Sequence, residues 1–180
     1  MKLLFPALSD ALPLVWHVVN DGVMGGISQG ELAISAAGSL LFRGELSLAF
    51  QGGFASFRSR PATLGLQPGD ALRLVVRGDG RTYSVNLYPD QGPIAFSFRA
   101  EWPTSAGQLT EVVLPLANFR ATQFGREVPG MPLDPSRVVS LGVMLADKRP
   151  GPFVLEIHRI EVLEPNDPKV STRPSNDPEK

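Results

Sequence analysis

Polar and apolar residues alternate with a period of two along most of this 180-residue chain, which is the pattern of β-strands that have one buried face. In one clear segment, Leu72, Leu74 and Val76 alternate with Arg73 and Arg77. The pattern predicts ten short strands, at residues 14–19, 31–35, 39–49, 53–60, 71–78, 81–88, 93–100, 109–114, 137–146 and 153–163. Ten strands at this spacing are typical of an antiparallel β-sandwich or barrel.

Turn signals separate these strands. The chain has 18 glycines and 17 prolines, and because they are spread out they indicate many turns rather than disorder. Asp79-Gly80 is typical of a two-residue hairpin turn, which predicts that the strands on either side of it pair. Single helical turns are predicted at 115–119 and 134–138, and the glycine- and proline-containing stretch 120–136 is predicted to be an irregular connection.

The segment from Trp16 to Gly30 is the most distinctive part of the sequence. Four glycines, at positions 22, 25, 26 and 30, follow directly after a β-branched run. Glycine loses much conformational entropy when it is ordered, so this density indicates positive φ angles or a close approach of backbones. Trp16 supplies a large side chain that would anchor the segment in a core. We therefore expect a shaped loop, which is where binding residues are often found.

The same loop contains Gly-Ile-Ser-Gln-Gly at residues 26–30, which matches the G-x-S-x-G motif of α/β-hydrolases. That motif requires a strand before the serine and a helix after it. Here a glycine-rich loop precedes the serine and a strand-like alternation follows it, so the match is interpreted as chance. We find no nucleophile and base pair in the sequence and expect no enzyme activity.

Composition and charge exclude several further classes of function. The net charge of −1 gives no field that would attract nucleic acid. The chain has no cysteine, His17 and His158 stand far apart, and no calcium or nucleotide-binding motif occurs, so neither a metal nor a cofactor is predicted. The N-terminus is too short and interrupted for a signal peptide, and no apolar run reaches the ~18 residues of a membrane span. We expect a soluble, cytoplasmic protein without direct membrane insertion.

Several segments occur in the order and spacing of a known family. The most specific is Asp-Gly-Val-Met-Gly-Gly-Ile-Ser at residues 21–28. The other segments that match are Trp16, 52–56, Arg58, 77–83, Trp102, 114–115, Phe119, 141–142, 145–148, 151–153 and 156–157. From about residue 14 to residue 163 the chain therefore resembles the CIA30 family, the complex I intermediate-associated protein 30 domain.

This resemblance implies a fold, a function and a type of partner. The implied fold is all-β, an antiparallel jelly-roll β-sandwich of the galactose-binding-domain-like type. Mitochondrial members act as assembly chaperones for respiratory complex I. The resemblance therefore implies a non-enzymatic protein-binding domain whose partner is a protein client or assembly intermediate, with membrane-complex subunits among the candidates. Since no targeting presequence is visible, we expect a stand-alone prokaryotic member.

We place the candidate partner-binding site on the glycine-rich loop and on nearby loop corners. Its residues are Asp21, Gly22, Met24, Gly25, Gly26, Ser28, Arg58, Asp147 and Lys148. The loop could present a rim of backbone amides to a ligand, or it could be structural, with Asp21 in an Asx turn. Likewise the charged segment after residue 146 could be a partner-binding corner or a solvated hairpin turn.

Arg58 has two interpretations. If its strand face points to the core, the guanidinium needs an acidic partner, because an unpaired buried charge is very costly; Asp21, Asp147 and Glu156 are the candidates. Otherwise its planar fork could bind a carboxylate or sugar hydroxyl.

The alternative function is carbohydrate binding on a concave polar sheet face. The residues assigned to that face are Arg73, Arg77, Ser84, Asn86, Tyr88, Arg99 and Trp102, with Ser97 beside them. Tyr88 and Trp102 would be the stacking platforms. The competing interpretation is an ordinary solvated sheet face.

The chain is divided into three parts by composition. Residues 1–13 are interpreted as a lead-in and residues 14–163 as the sandwich domain. Residues 164–180 contain one aliphatic residue, Val170, and four prolines, so they are predicted to be a disordered tail.

Overall fold

Two antiparallel β-sheets pack face to face in the computed structural model, which describes residues 1–6 and 14–170. Buried side chains recur at every second position in strands such as Ala71–Arg77, as the period of two in the sequence predicts. Ala55–Ser59 and Thr82–Pro89 differ, because most of their side chains are buried on both faces. The described residues form thirteen strands: β1 (Lys2–Phe5), β2 (Trp16–Asn20), β3 (Gln29–Ile34), β4 (Leu40–Leu46), β5 (Ala55–Ser59), β6 (Ala71–Arg77), β7 (Thr82–Pro89), β8 (Phe96–Pro103), β9 (Leu109–Pro115), β10 (Arg120–Gln123), β11 (Arg126–Glu127), β12 (Val138–Leu145) and β13 (Gly151–Leu163).

The strand order confirms an all-β sandwich. One sheet has six strands in the order β3-β4-β13-β6-β9, with β1 also paired to β13. The other has seven strands in the order β11-β10-β8-β7-β12-β5-β2. Neighbours in both sheets are rarely consecutive in sequence, so most connections cross from one sheet to the other.

The core lies between the two sheets and contains a cluster of aromatic rings. Phe57 of the seven-stranded sheet is fully buried, and its ring centroid lies 5.0 Å from that of Phe42 in the opposite sheet. Phe153 packs on Phe42 at 4.9 Å, and Trp16 packs edge-on against Phe57 at 5.4 Å. Trp16 thus anchors the start of the glycine-rich segment, as the sequence predicts.

Each of the ten predicted strands has a counterpart in the structure, and three strands were not predicted. Strand β1 lies within the predicted lead-in, and β10 and β11 lie within the stretch predicted to be irregular. These strands have only two to four residues, which is too short for alternation to stand out. The predicted helical turns are confirmed as 3₁₀ helices at Leu116–Asn118 and Pro135–Arg137.

The hairpin predicted at Asp79-Gly80 is wrong. Strand β6 belongs to the six-stranded sheet and β7 to the seven-stranded sheet, so these two residues form a corner between sheets. The carboxylate of Asp79 stabilises that corner: Oδ1 accepts the N–H of Arg81 at 3.1 Å, and Oδ2 accepts the Tyr83 hydroxyl at 3.0 Å and the N–H of Val154 at 2.8 Å.

The N-terminus lies beside the end of strand β13. The α-amino group of Met1 lies 2.9 Å from the carboxylate of Glu164. The described part of the predicted tail, residues 164–170, contains two turns, in which the N–H of Asp167 bonds to Glu164 O and the N–H of Val170 to Asp167 O. The rest of that predicted tail and residues 7–13 of the lead-in lie outside the described residues, so the domain boundaries remain predictions. Within the described part of the chain, no helix is long and apolar enough to cross a membrane.

Candidate functional site

Several loops of the seven-stranded sheet lie together at one end of the sandwich, which we call the loop end. The last residue of β2, Asn20, pairs with the first residue of β5, Ala55, and Ala55 pairs with the last residue of β12, Leu145. Leu145 in turn pairs with Tyr83 near the start of β7. The loops 21–28, 47–54, 78–81 and 146–150 therefore lie side by side.

Asp21 is the centre of this region. It is fully buried, and its carboxylate accepts four hydrogen bonds from two separate loops. Oδ1 accepts the N–H of Ser28 at 2.9 Å, while Oδ2 accepts the Ser28 hydroxyl at 2.6 Å, the N–H of Gly53 at 2.7 Å and the N–H of Phe54 at 3.3 Å. Burial alone would raise the pKa of this carboxyl, but the bonds from Ser28, Gly53 and Phe54 outweigh burial and lower it. Asp21 is therefore ionised, and it joins loop 21–28 to loop 47–54.

The glycines of the loop allow this close packing. A Cβ atom at Gly26 would overlap the carboxylate of Asp21, and one at Gly52 would lie 2.6 Å from Asp21 Oδ2. Gly25 has φ +86° and ends the 3₁₀ helix Asp21–Met24. A Cβ at Gly22 would meet open space. Three glycines in these two loops are thus explained by geometry, which favours the structural interpretation of the loop backbone.

Ser28 is a structural residue. Its side chain is buried, its hydroxyl donates to Asp21, and it accepts the N–H of Ser47 at 2.9 Å. These bonds connect the start of β3 to the end of β4. The G-x-S-x-G match is therefore part of the Asp21 network, as expected for a chance match.

The two loops that Asp21 joins expose five apolar side chains. We call this set the apolar rim; it consists of Val23, Met24, Ile27, Leu48 and Phe50. Val23 is 74% exposed and Phe50 71% exposed. Phe50 also has a φ of +53°, which side chains with a Cβ rarely adopt. Single exposed apolar residues are common, but a group of them on adjacent loops is typical of an interaction surface.

Asp147 is paired with Arg81, a residue outside the predicted site. Nη2 of Arg81 donates to Asp147 Oδ1 at 2.7 Å and Nε donates to Oδ2 at 3.0 Å, and both side chains are only 6% exposed. The same guanidinium donates to the carbonyls of Arg149, Gly151 and Pro152. Arg81 thus stabilises the crossing from β12 to β13. The hairpin-turn interpretation of this segment is wrong because these strands belong to different sheets, and Lys148 extends from the crossing into solvent.

The acidic partners considered for Arg58 are wrong. Asp21 and Asp147 are bonded as described above, and Glu156 accepts the Ser39 hydroxyl at 2.6 Å. Since neighbouring residues of a strand point to opposite faces, the burial of Phe57 in the core turns Arg58 to the outer face of the sheet. There its guanidinium carbon lies 4.8 Å from the centre of the Tyr88 ring.

The structure brings only part of the predicted sugar face together. Ser84, Asn86 and Tyr88 of β7 share the outer face of the seven-stranded sheet with Arg99 of β8, which pairs with Asn86. Ser97, two residues from Arg99, lies on the same face. These residues form a polar surface that extends away from the loop end.

Three residues assigned to that face lie elsewhere. Arg73 and Arg77 belong to β6 in the other sheet, and Arg73 is ion-paired with Glu111 and Glu161. Trp102 is 3% exposed and packs in the core beside Tyr83, with ring centroids 6.1 Å apart. It has the same strand parity as the buried Phe98, so its predicted role as an exposed stacking platform is wrong.

Among residues 1–6 and 14–170, no three His, Asp or Glu side chains come together in a group that could hold a metal ion.

Comparison with known proteins gives the family. The model of the Complex I intermediate-associated protein 30 (CIA30) family matches residues 7–157. The chain belongs to the CIA30 family. It is also 32% identical over 174 residues to mouse "Complex I intermediate-associated protein 30, mitochondrial", covering 82% of this chain and 52% of the mouse protein. This CIA30 domain therefore spans about half the length of that relative.

Solved structures confirm the sandwich fold of this CIA30 domain. A family 11 carbohydrate-binding module from Clostridium thermocellum, solved with a β-1,3-1,4-mixed-linked tetrasaccharide, superposes with a TM-score of 0.59 at 13% identity, covering 91% of this chain and 95% of the module. A family 30 module of a cellulosomal cellulase from the same organism gives 0.59 at 12% identity, covering 87% and 95%. At such low identity the likeness concerns the fold alone.

Replacement of Asp21 tests its role as the joint between the loops. Asp21→Asn keeps the shape but turns an amide N–H₂ toward groups that are themselves donors, so we expect a loss of roughly 1–3 kcal/mol of unfolding free energy at pH 7. Because the folded pKa of Asp21 is lowered, its contribution is present above the unfolded pKa of about 3.9 and is lost as pH falls below it. Denaturant titrations from pH 7 down to about pH 3 should show the two proteins converging. Asp90→Asn, which breaks an exposed pair with Arg137, should cost less than about 1 kcal/mol.

Replacement of Asp147 tests whether its ion pair with Arg81 stabilises the fold, with replacement of the exposed Lys148 as the comparison. Asp147→Asn leaves the buried guanidinium of Arg81 without its counter-charge, and breaking a pair of this kind costs about 3–5 kcal/mol. Lys148→Asn removes an exposed charge at a residue with φ +58°, a conformation that asparagine tolerates, and it should leave stability unchanged. If Asp147 were not structural, chemical denaturation would give both variants the same free energy of unfolding.

Proposed function

We propose that this CIA30 domain is a non-enzymatic protein-binding domain that acts as an assembly factor and holds an intermediate of a protein complex through the apolar rim. The family and the name of the mouse relative support association with a complex I intermediate. The location of the binding site is supported by the exposure of Val23, Met24 and Phe50 on two loops that a buried carboxylate holds together.

The physical case for the apolar rim is that its shape exists before a partner arrives. The four bonds of Asp21 fix both loop backbones, so little loop entropy is lost when a partner binds. Flexible and aromatic side chains such as Met24 and Phe50 are among those enriched in protein interfaces. A partner segment with an apolar surface, of the kind that is exposed before a complex is complete, would bury these side chains.

Recognition without covalent chemistry is consistent with the polar groups of the loop end. Asp21, Ser28, Arg81 and Asp147 all have hydrogen-bond partners within the protein. Each therefore contributes to holding the loops in place, and the apolar rim and Lys148 are among the exposed groups that can contact a partner.

Carbohydrate binding on the outer face is the second candidate function, supported by the similarity of fold to modules that include one bound to a tetrasaccharide. Function does not follow from fold alone. The residues also argue against a stacked neutral sugar, because Arg58 lies over the Tyr88 ring and Trp102 is buried. We therefore favour the protein-binding function.

The apolar rim can be tested by affinity purification of the protein from its source cells, with quantitative mass spectrometry. Met24→Gln combined with Phe50→Asn removes two exposed apolar side chains, and asparagine tolerates the positive φ of position 50. We expect subunits of respiratory complex I to co-purify with the wild type. Their recovered amount should fall at least about tenfold with the double variant, because a loss of about 1.4 kcal/mol of binding free energy lowers the affinity tenfold.

The matched control is Ile94→Thr, which removes an 82% exposed apolar side chain in the loop between β7 and β8 at the opposite end of the sandwich. It should retain the wild-type set of partners, and all three proteins should have the same melting temperature. The proposal is wrong if complex I subunits are never enriched, or if the double variant and Ile94→Thr retain them equally.

A further inference from the structure

The outer face of the seven-stranded sheet has an unusual floor, because small polar side chains on it are almost completely buried. Each of them is at most 6% exposed, and they are Ser56, Ser84, Asn86, Ser97 and Ser140. The hydrophobic core lies on the other side of the same strands. Larger side chains, among them Arg58, Tyr88, Arg99 and Met144, therefore rise around these small residues and shield them from solvent.

Asn86 holds the floor rigid. Its Oδ1 accepts the Ser97 hydroxyl and Nε of Arg99, both at 3.1 Å, and its Nδ2 donates to the Ser84 hydroxyl at 3.2 Å. Buried polar groups that are bonded to one another in this way are fixed in position. Arg99 is part of the network and is thereby oriented.

Two arginines extend over this floor from opposite sides. Arg58 lies on β5 and Arg99 on β8, with β12 and β7 between them, so their backbones are about 14 Å apart at the usual spacing of strands. The guanidinium of Arg58 reaches across β12 to the Tyr88 ring, at 4.8 Å. That of Arg99 reaches across β7, and Nη2 lies 3.3 Å from the sulfur of Met144. Both cations thus point to the middle of the face.

Neither arginine has an acidic partner among the described residues, unlike Arg73 and Arg81, which form ion pairs. Nε of Arg58 is buried and has no hydrogen-bond acceptor. Burial lowers the pKa of Arg99, which Glu101 and Tyr88 partly offset. A buried N–H without an acceptor costs free energy, and Glu101, which raises the pKa of Arg99 from two residues away, forms no ion pair with either arginine. The two cations of this face therefore favour a negatively charged ligand.

A hollow of about 390 Å³ opens beside Met144, the residue whose sulfur Arg99 contacts. It shares Ser84 and Met144 with the floor and extends toward Lys148, with Glu101 also in its wall. Its size is within the range of sites that hold small ligands. Lys148 is the cation in its wall, and Arg99 reaches that wall at Met144. Glu101 is the one acidic group in the wall apart from Asp147, which is paired with Arg81.

From these two unpaired arginines we propose that the outer face of the seven-stranded sheet binds a small ligand through an oxyanion group, a carboxylate or a phosphate, recognised by Arg58 and Arg99. A guanidinium offers two parallel N–H donors that match both groups. The oxyanion would accept from the guanidinium of Arg58, whose Nε has no acceptor, and would supply the negative charge that the two cations lack. The site is separate from the apolar rim and does not depend on the proposed function of the rim.

The test is isothermal titration of the full chain at low and constant ionic strength with three probes: glucuronate, inorganic phosphate and neutral glucose. We expect glucuronate, phosphate or both to bind and glucose not to bind, with an affinity that falls as salt is added. Stronger binding of glucuronate would identify an acidic sugar as the source of the oxyanion, and stronger binding of phosphate would identify a phosphorylated ligand.

Variants of the two arginines locate the binding. Arg58→Gln and Arg99→Gln should each lower the affinity for the probe at least about tenfold. Arg58→Lys keeps the charge but loses the two parallel N–H donors, so it should have a smaller effect. The matched control is Arg120→Gln, because Arg120 pairs with Arg99 on the next strand but donates to the carbonyls of Ala117 and Phe119. It should bind like the wild type, and melting temperatures should verify that each variant is folded.

Three results would overturn the proposal. The first is that neither glucuronate nor phosphate gives a heat of binding at low salt. The second is anion binding that Arg58→Gln and Arg99→Gln leave unchanged, which would place the anion elsewhere. The third is binding of glucose as tightly as glucuronate, which would mean that the face recognises hydroxyl groups rather than charge.

Discussion

The buried carboxylate of Asp21 is the constraint on which the loop end depends. A carboxylate without water is stable only if donors replace the water, and here all of them come from Ser28, Gly53 and Phe54. These residues are distant in sequence, so the need to satisfy one charge fixes two loops against each other. The packing of Gly26 and Gly52 against the same carboxylate follows from this need. The exposed apolar rim is therefore a consequence of a buried polar interaction beneath it.

Most of the fold could be predicted because the period of two is a local property that a single sequence displays. Pairing between strands is not local, and this is why the hairpin at Asp79-Gly80 was wrong. The dipeptide does form a tight corner, with φ +89° at Gly80, but the sequence does not show whether the next strand stays in the same sheet. In a sandwich with crossing connections, a corner of this kind and a hairpin have the same sequence signal. The family resemblance was carried by the loop 21–28 and was independent of this error.

The candidate site also contains some residues that the sequence could identify and others that it could not. The loop and an acceptor role for Asp21 were predicted from local turn chemistry. The Asx turn itself is wrong, because the donors are the distant Ser28, Gly53 and Phe54. Arg81 could not be found from the sequence, because its burial depends on carbonyls from residues 149–152 that reach it only in the folded sandwich. Trp102 could have been assigned correctly, since it shares strand parity with the apolar Phe98 and Ala100. Parity also separates Arg58 from Phe57, but the sequence does not show that Tyr88 would take the place of an acidic partner.

Two chemically different surfaces result from one sheet, and strand β5 connects them. Its first residue, Ala55, lies at the loop end beside Asp21, and Arg58 lies three residues further along, about 10 Å away at the rise of a strand. The carbohydrate-binding modules share the fold at 13% identity or less, so the sheet alone does not choose a ligand. In this chain Arg58 covers the face of Tyr88, the one aromatic ring among the predicted sugar-face residues that lies on the outer face. A ring covered by a cation is not free to stack on a sugar, and the cation that covers it is available to an anion. The arginine therefore changes the chemistry that this face can recognise, while the strands beneath it stay the same.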